Sequence, residues 1–238
     1  EGALSHDNNL NEPTGLHRGW GEYSMDTHFV VGDKVYVIEV AADTYRKLRI
    51  DALIEGVYTF TYANLDGGNE QTKELVKADF AGQNFGFFDL TTGSTVDVEP
   101  MAADWDLLFT KYTALVENEG EIVPYNSTGV LQNKLVSTVE VDGVDPATAT
   151  WGGSLFDTVM NAIGYDWKAV DMTTFQWNID ADRTYFVQDR AGSIWKLVFT
   201  GFGGSSNGNY DFTQEMVSAA SVAEVGHHEL VLFPNPST

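Results

Sequence analysis

Four side chains stand out as donor groups placed where packing gives little reason for them. Met25, Met101 and Met172 lie in polar or turn-like stretches, and His28 is the histidine beside an expected strand start. A thioether sulfur and an imidazole nitrogen are both groups able to hold a transition metal. Met160 falls on the apolar stripe of an expected helix and Met216 follows an apolar strand run, where a thioether normally fills a core. His6 and His17 sit in a polar N-terminal stretch. His227 and His228 form an adjacent pair bordering the C-terminal tail, a setting more typical of solvent than of a metal. With no cysteine in 238 residues, disulfides, thiolate metal sites and cysteine nucleophiles are excluded.

Other chemistries find less support. There is no nucleophile elbow, no HExxH and no phosphate loop. The carboxylates are so numerous that any two can be nominated as acid and base. Asp180, Asp182 and Asp189 are the calcium candidates, but NIDAD lacks the glycine and terminal glutamate of an EF-hand loop. Six Trp, ten Tyr and fourteen Phe suffice to line a slot for a flat apolar ligand or to stack on sugar rings. Tyr58, Phe60 and Tyr62 alternate with Thr59, Thr61 and Ala63, which puts three rings on one face of a half-buried strand and is equally what packing alone requires.

The elements that must position these groups are written twice. Val35 to Ile50 reads VYVIEVAADTYRKLRI and Thr184 to Phe199 reads TYFVQDRAGSIWKLVF, matching Tyr36 with Tyr185, Lys47 with Lys196 and Leu48 with Leu197. GVYTFT from Gly56 is answered by GNYDFT from Gly208. Each copy is two paired runs plus a third, a three-strand meander that cannot bury its own apolar face. The expectation is an all-β fold of mostly antiparallel sheets, with the two meanders joined in one large sheet system and one or two short helices. Gln71 to Asp79 reads as a loop or short helix, and Trp105 to Val116 as the longest run. One helix is expected over Ser154 to Ile163, from a capping-box-like Ser154 and Asp157, the stripe Leu155, Phe156, Val159, Met160 and Ile163, and Gly164 as the left-handed cap. The repeated Lys47 and Lys196 are positioned to meet ligand carboxylates or to form surface ion pairs.

Thirty-five acidic against thirteen basic residues give a formal charge of −22, which repels phosphate backbones and rules against nonspecific nucleic-acid binding. No apolar run approaches the ~20 residues of a membrane span. No signal peptide opens the chain, so it either starts after processing or never carried one.

Taken in order, NFGFFDLTTGSTVDVEPMAADWDLLFTKYTAL (Asn84 to Leu115), YRKLRI, YTFTYANLDG, STGVLQN, AIGYDWK and GSIWKLVFTGF closely resemble the HmuY-like family of secreted bacterial haem-binding proteins. The resemblance covers roughly Val35 to Phe212 by motif order. It implies a β fold with few helices, export to the cell surface, and haem capture for an outer-membrane receptor. Haem iron held on both faces needs two ligating side chains across one slot. In the family the strand corresponding to WDLLFTKY carries a histidine after the aromatic residue as an axial ligand, whereas Thr110 stands here. The second histidine is expected within Asn133 to Trp151, a stretch with neither histidine nor methionine. Some relatives substitute methionine, which makes Met101, Met172, Met25 and His28 the haem-ligand candidates. The chain's end, LFPNPST from Leu232, resembles the opening of a type IX secretion sorting domain, so the type IX machinery is an expected partner and the sequence would continue.

The expected organisation is an irregular arm over 1–34, a HmuY-like β domain over 35–225, and a linker with the start of a sorting tail over 226–238. The expected function is noncatalytic haem binding by a secreted or surface protein. Its rivals are an adhesion or binding module that has lost haem ligation and, from another class, a carbohydrate-active enzyme.

Overall fold

The computed structural model describes residues 19–152, 154–219 and the backbone of 232–234. The fold is all-β and mostly antiparallel. Contacts gather into two compact units, Glu1–Pro100 and Met101–Thr238, and each holds one copy of the repeated meander.

The first unit begins with two short strands, β1 (Gly21–Tyr23) and β2 (Val30–Gly32), inside the stretch read as an arm. The first meander follows as β3 (Tyr36–Ala41), β4 (Thr44–Ile54) and β5 (Val57–Asn64), and β6 (Gln71–Val76) completes a six-stranded sheet. β4 serves two neighbours on one edge, β3 along its first half and β2 at Ala52 and Leu53. Glu55 and Gly56 take φ of 50° and 81°, the paired positive values of the two-residue turn whose twist suits a hairpin. A 3-10 turn at Lys77–Phe80 leads to the small hairpin β7 (Phe87–Asp89) and β8 (Ser94–Val96).

The second unit opens with a 3-10 turn at Ala102–Asp104 and two twelve-residue strands, β9 (Leu107–Asn118) and β10 (Glu121–Gln132). β11 (Ser137–Val141), β12 (Lys168–Val170), β13 (Trp177–Ile179), β14 (Thr184–Gln188), β15 (Ile194–Phe202) and β16 (Tyr210–Ser218) follow. β17 (Leu232–Pro234) runs parallel to β9, with Leu232 opposite Leu107. The sheets are β10-β9-β17, β11-β14-β15-β16 and β12-β13. Leu107, Val130, Ile163, Trp167, Tyr185, Val187 and Leu197 form the centre of the main core, each at most 1% exposed. Trp167 stacks on Phe199 at 4.0 Å between ring centroids.

The repeat is real at the level of register. Tyr36 lies opposite Leu48 and Tyr185 opposite Leu197; Thr61 lies opposite Arg49 and Thr213 opposite Val198. The copies nevertheless build separate sheets, contrary to the single sheet system expected. Each recruits its own neighbours, β2 and β6 for the first and β11 for the second.

Two local expectations are corrected. Gln71 to Val76 is a strand, and only Lys77–Phe80 is helical. Ser154 to Ile163 forms no helix. Thr138 and Asp157 exchange backbone hydrogen bonds at 2.9 and 2.8 Å, Val130 and Gly164 do so at 2.9 and 3.1 Å, and the Gln132 amide reaches Met160 O. The amides and carbonyls a helix would use are therefore committed to β10 and β11. The apolar stripe dissolves as a result: Leu155 is 94% exposed while Ile163 is 1% exposed. Asp157 accepts the Val159 amide at 2.8 Å instead of completing a capping box. Gly164 does adopt the left-handed conformation, with φ of 67°.

Candidate functional site

The first unit carries an apolar cleft of about 440 Å³, within the size range of small-molecule sites. Its floor follows from strand alternation. Leu48 faces Tyr62 and Ile50 faces Phe60 across β4 and β5; a bulge after Ile50 then brings Leu53 opposite Tyr58. Ile38 on β3 and Leu75 on β6 extend the same apolar surface. The small hairpin supplies the lid: Phe88 meets Phe60 edge-on at 4.9 Å and Tyr62 at 6.1 Å. Trp20 packs against Tyr58 at 5.8 Å. Phe60 and Tyr62 are buried, and of the three alternating rings Tyr58 and Phe60 line the cleft, so Phe60 is both core and cleft wall.

Two acidic residues border this cleft, and the turns occupy their carboxylates. Glu39 accepts the Asp43 amide at 3.1 Å. Asp89 accepts the Thr91 amide at 2.7 Å and the Thr92 hydroxyl at 3.0 Å; these bonds, the amide first, hold its carboxyl below the usual carboxylate range. The remaining surface presents aliphatic and aromatic groups, which suits the apolar faces of a flat ligand better than its charged edges.

The four donor candidates do not line the cleft. Met25 is 75% exposed in the connection from β1 to β2. His28, in that connection with φ of 59°, has Nδ1 2.5 Å from the Tyr23 hydroxyl. Met101, in the second unit, is 51% exposed, and its carbonyl accepts the Asp104 amide at the start of a 3-10 turn. Met172 is 76% exposed on the turn between β12 and β13. Thr110 lies on β9 opposite Gly129, its hydroxyl donating to the Lys111 carbonyl at 3.3 Å. His6, His17, His227 and His228 lie outside the described residues. The stretch from Asn133 begins with a latch: Asn133 is fully buried, its Nδ2 donates to Ala102 O and Trp105 O at 2.8 Å each, and its Oδ1 accepts the Leu135 amide.

Lys196, Asp180 and Asp189 take structural partners. Lys196 donates to Pro146 O, and Lys47 lies in the ladder between Val37 and Ala63. Asp180 pairs with Arg183 at 3.3 Å. Asp189 accepts the Ala191 and Ser193 amides and the Trp195 indole. Among the described residues no three histidine or acidic side chains gather to hold a metal ion. No helix among them is long and apolar enough to cross a membrane.

Sequence reasoning passed over Lys168, the most unusual ionisable group of the second unit. Its ammonium lies 4.3 Å from the Trp167 ring centre, 4.7 Å from Phe202 and 5.7 Å from Trp177. It donates to Thr128 O at 2.5 Å and Tyr165 O at 3.1 Å. Burial pushes it down to about 8, against the attraction of nearby Asp166. Its side chain is spent on joining β12 to β10, and with 8% of its surface exposed it offers no access to a reactant.

No family model matches the chain, and neither curated proteins nor solved structures provide a match.

Proposed function

We propose that this chain is a noncatalytic binding protein of the HmuY-like kind, exported by the type IX route to the outer cell surface, which takes a flat, largely apolar ligand such as a porphyrin into the cleft over Tyr58 and Phe60. The cleft of about 440 Å³ with its aromatic wall and lid is the observation that carries this reading. The resemblance supplies haem as the ligand and an outer-membrane receptor as the partner. The side chains favour capture through the macrocycle's faces, because the cleft's lining includes no histidine or methionine.

Parallel titrations with haemin and iron-free protoporphyrin IX test this. The expected result is saturable binding of both, with dissociation constants within about threefold of each other, because the iron adds little. Leu75→Trp places an indole in the cleft and is expected to weaken both by about tenfold or more. Failure of both ligands to bind would remove the porphyrin reading. Tight binding of haemin alone, abolished by His28→Ala or by a methionine variant, would return the function to iron ligation.

A further inference from the structure

Strands β9 and β10 outlast the body they grow from. Past Tyr112 and Ser127 the ladder continues as a two-stranded arm to the Glu119–Gly120 turn, where φ is 54° and 85°. Leu115 is 39% and Tyr125 62% exposed on this arm. β17 is described as far as Pro234, opposite Phe109, and among the described residues no strand pairs with either outer edge beyond that point. An open edge is a template for another strand.

The two edges differ. Pro124 sits inside the β10 ladder opposite Leu115; having no N–H, it must turn its nitrogen outward, which spoils that edge for pairing. The β9 edge from Thr110 to Asn118 has no proline and no register shift. Antiparallel pairs alternate between hydrogen-bonded and non-hydrogen-bonded. Pro124 makes its pair with Leu115 non-hydrogen-bonded, so Lys111, Thr113, Leu115 and Glu117 direct their own N–H and C=O groups away from β10.

We propose that this edge pairs with the same edge of a second copy, antiparallel about a twofold axis at Ala114. Thr113 then hydrogen-bonds Leu115 of the second copy, and Lys111 pairs with Glu117, with the reciprocal pairs generated by symmetry. All four outward-directed residues take part, and the register is self-consistent. The side chains of Lys111 and Glu117, both exposed, meet on one face as opposite charges at each end of the interface. Among the described residues neither forms an ion pair. A slip of two residues in one direction places Lys111 opposite Leu115 and loses the charge pairing; in the other it places Lys111 opposite Glu119, which lies in the turn beyond the end of β9.

Sedimentation velocity on the full chain at about 0.15 M salt tests the assignment, salt being needed to screen the −22 charge of each copy. The expected species has twice the 26.2 kDa chain mass. Lys111→Glu and Glu117→Lys are each expected to weaken association by about tenfold, since each sets like charges face to face. The double variant restores the pair in reverse and is expected to recover the dimer. Thr113→Pro turns a proline nitrogen outward as Pro124 does, so it should leave the fold, read by circular dichroism, and abolish the dimer. A monomeric wild type at about 0.5 mM overturns the proposal, as does a dimer indifferent to the single variants or one that the double variant fails to restore.

Discussion

Replacing Lys168 by methionine is expected to change how stability depends on pH by about 3 kcal/mol. The Lys168 ammonium is held at about 8 in the folded chain against an ordinary 10.5. Between those values the unfolded chain binds the proton and the folded chain does not, so wild-type stability rises with pH across that window. A displacement of about 2.5 pH units corresponds to about 3 kcal/mol, counted from below pH 8, where the buried charge bears its full desolvation cost, to above 10.5, where both states are neutral. Methionine removes the titration. The gap between wild type and Lys168→Met, from urea midpoints at several pH values, should therefore move in favour of wild type by that amount from pH 7 to 11. A gap constant with pH would mean that the rings and carbonyls compensate burial fully. Above pH 10 both proteins should lose stability together. Burial holds the Tyr112, Tyr185 and Tyr210 phenols above their ordinary value, so the unfolded chain releases these protons first.

Gly129→Ala is expected to cost about 3 to 5 kcal/mol, at the upper end of single-residue effects. A Cβ at Gly129 would lie 2.4 Å from the Gly164 carbonyl oxygen and 3.0 Å from the Tyr112 ring. The oxygen belongs to backbone and cannot swing aside. It also accepts the Val130 amide, so yielding to the methyl breaks the bridge that brings 164 onto β10 and disturbs Ile163 and Trp167 beside it, each 1% exposed. Gly152→Ala is the control: its nearest neighbour would be 4.0 Å away, and its effect should stay within about 0.5 kcal/mol. Equal costs for the two variants would mean that the Val130–Gly164 junction tolerates displacement.

The meanders were legible because strand information is local. Period-2 alternation, a turn, and a return run can all be read within about thirty residues, and matched letters at Tyr36 and Tyr185 carried the register with them. The separate sheets were not legible, because which strand covers an edge is decided by distant segments such as β11. The missing helix shows the same limit. Leu155, Phe156, Val159, Met160 and Ile163 have helical spacing, but the backbone partners offered by Val130, Gln132 and Thr138 override it, and those lie on strands upstream, outside any local window. Part of the cleft could be anticipated from Tyr58 and Phe60. Its lid could not, since Phe88 reaches Phe60 only through a tertiary hairpin. The cage of Lys168 draws Trp177 and Phe202 from two other strands, and a WK dipeptide in sequence carries no trace of it.

The placing of Trp20 against Tyr58 has an optical consequence. It is the single indole of the first unit, and the other five of the six tryptophans belong to the second. If the units melt at different denaturant concentrations, near-ultraviolet-excited emission divides into a step from one indole and a step from five. A ligand entering over Tyr58 dims the smaller contribution, so a Trp20→Phe chain supplies the blank against which occupancy of the cleft is read without any attached dye.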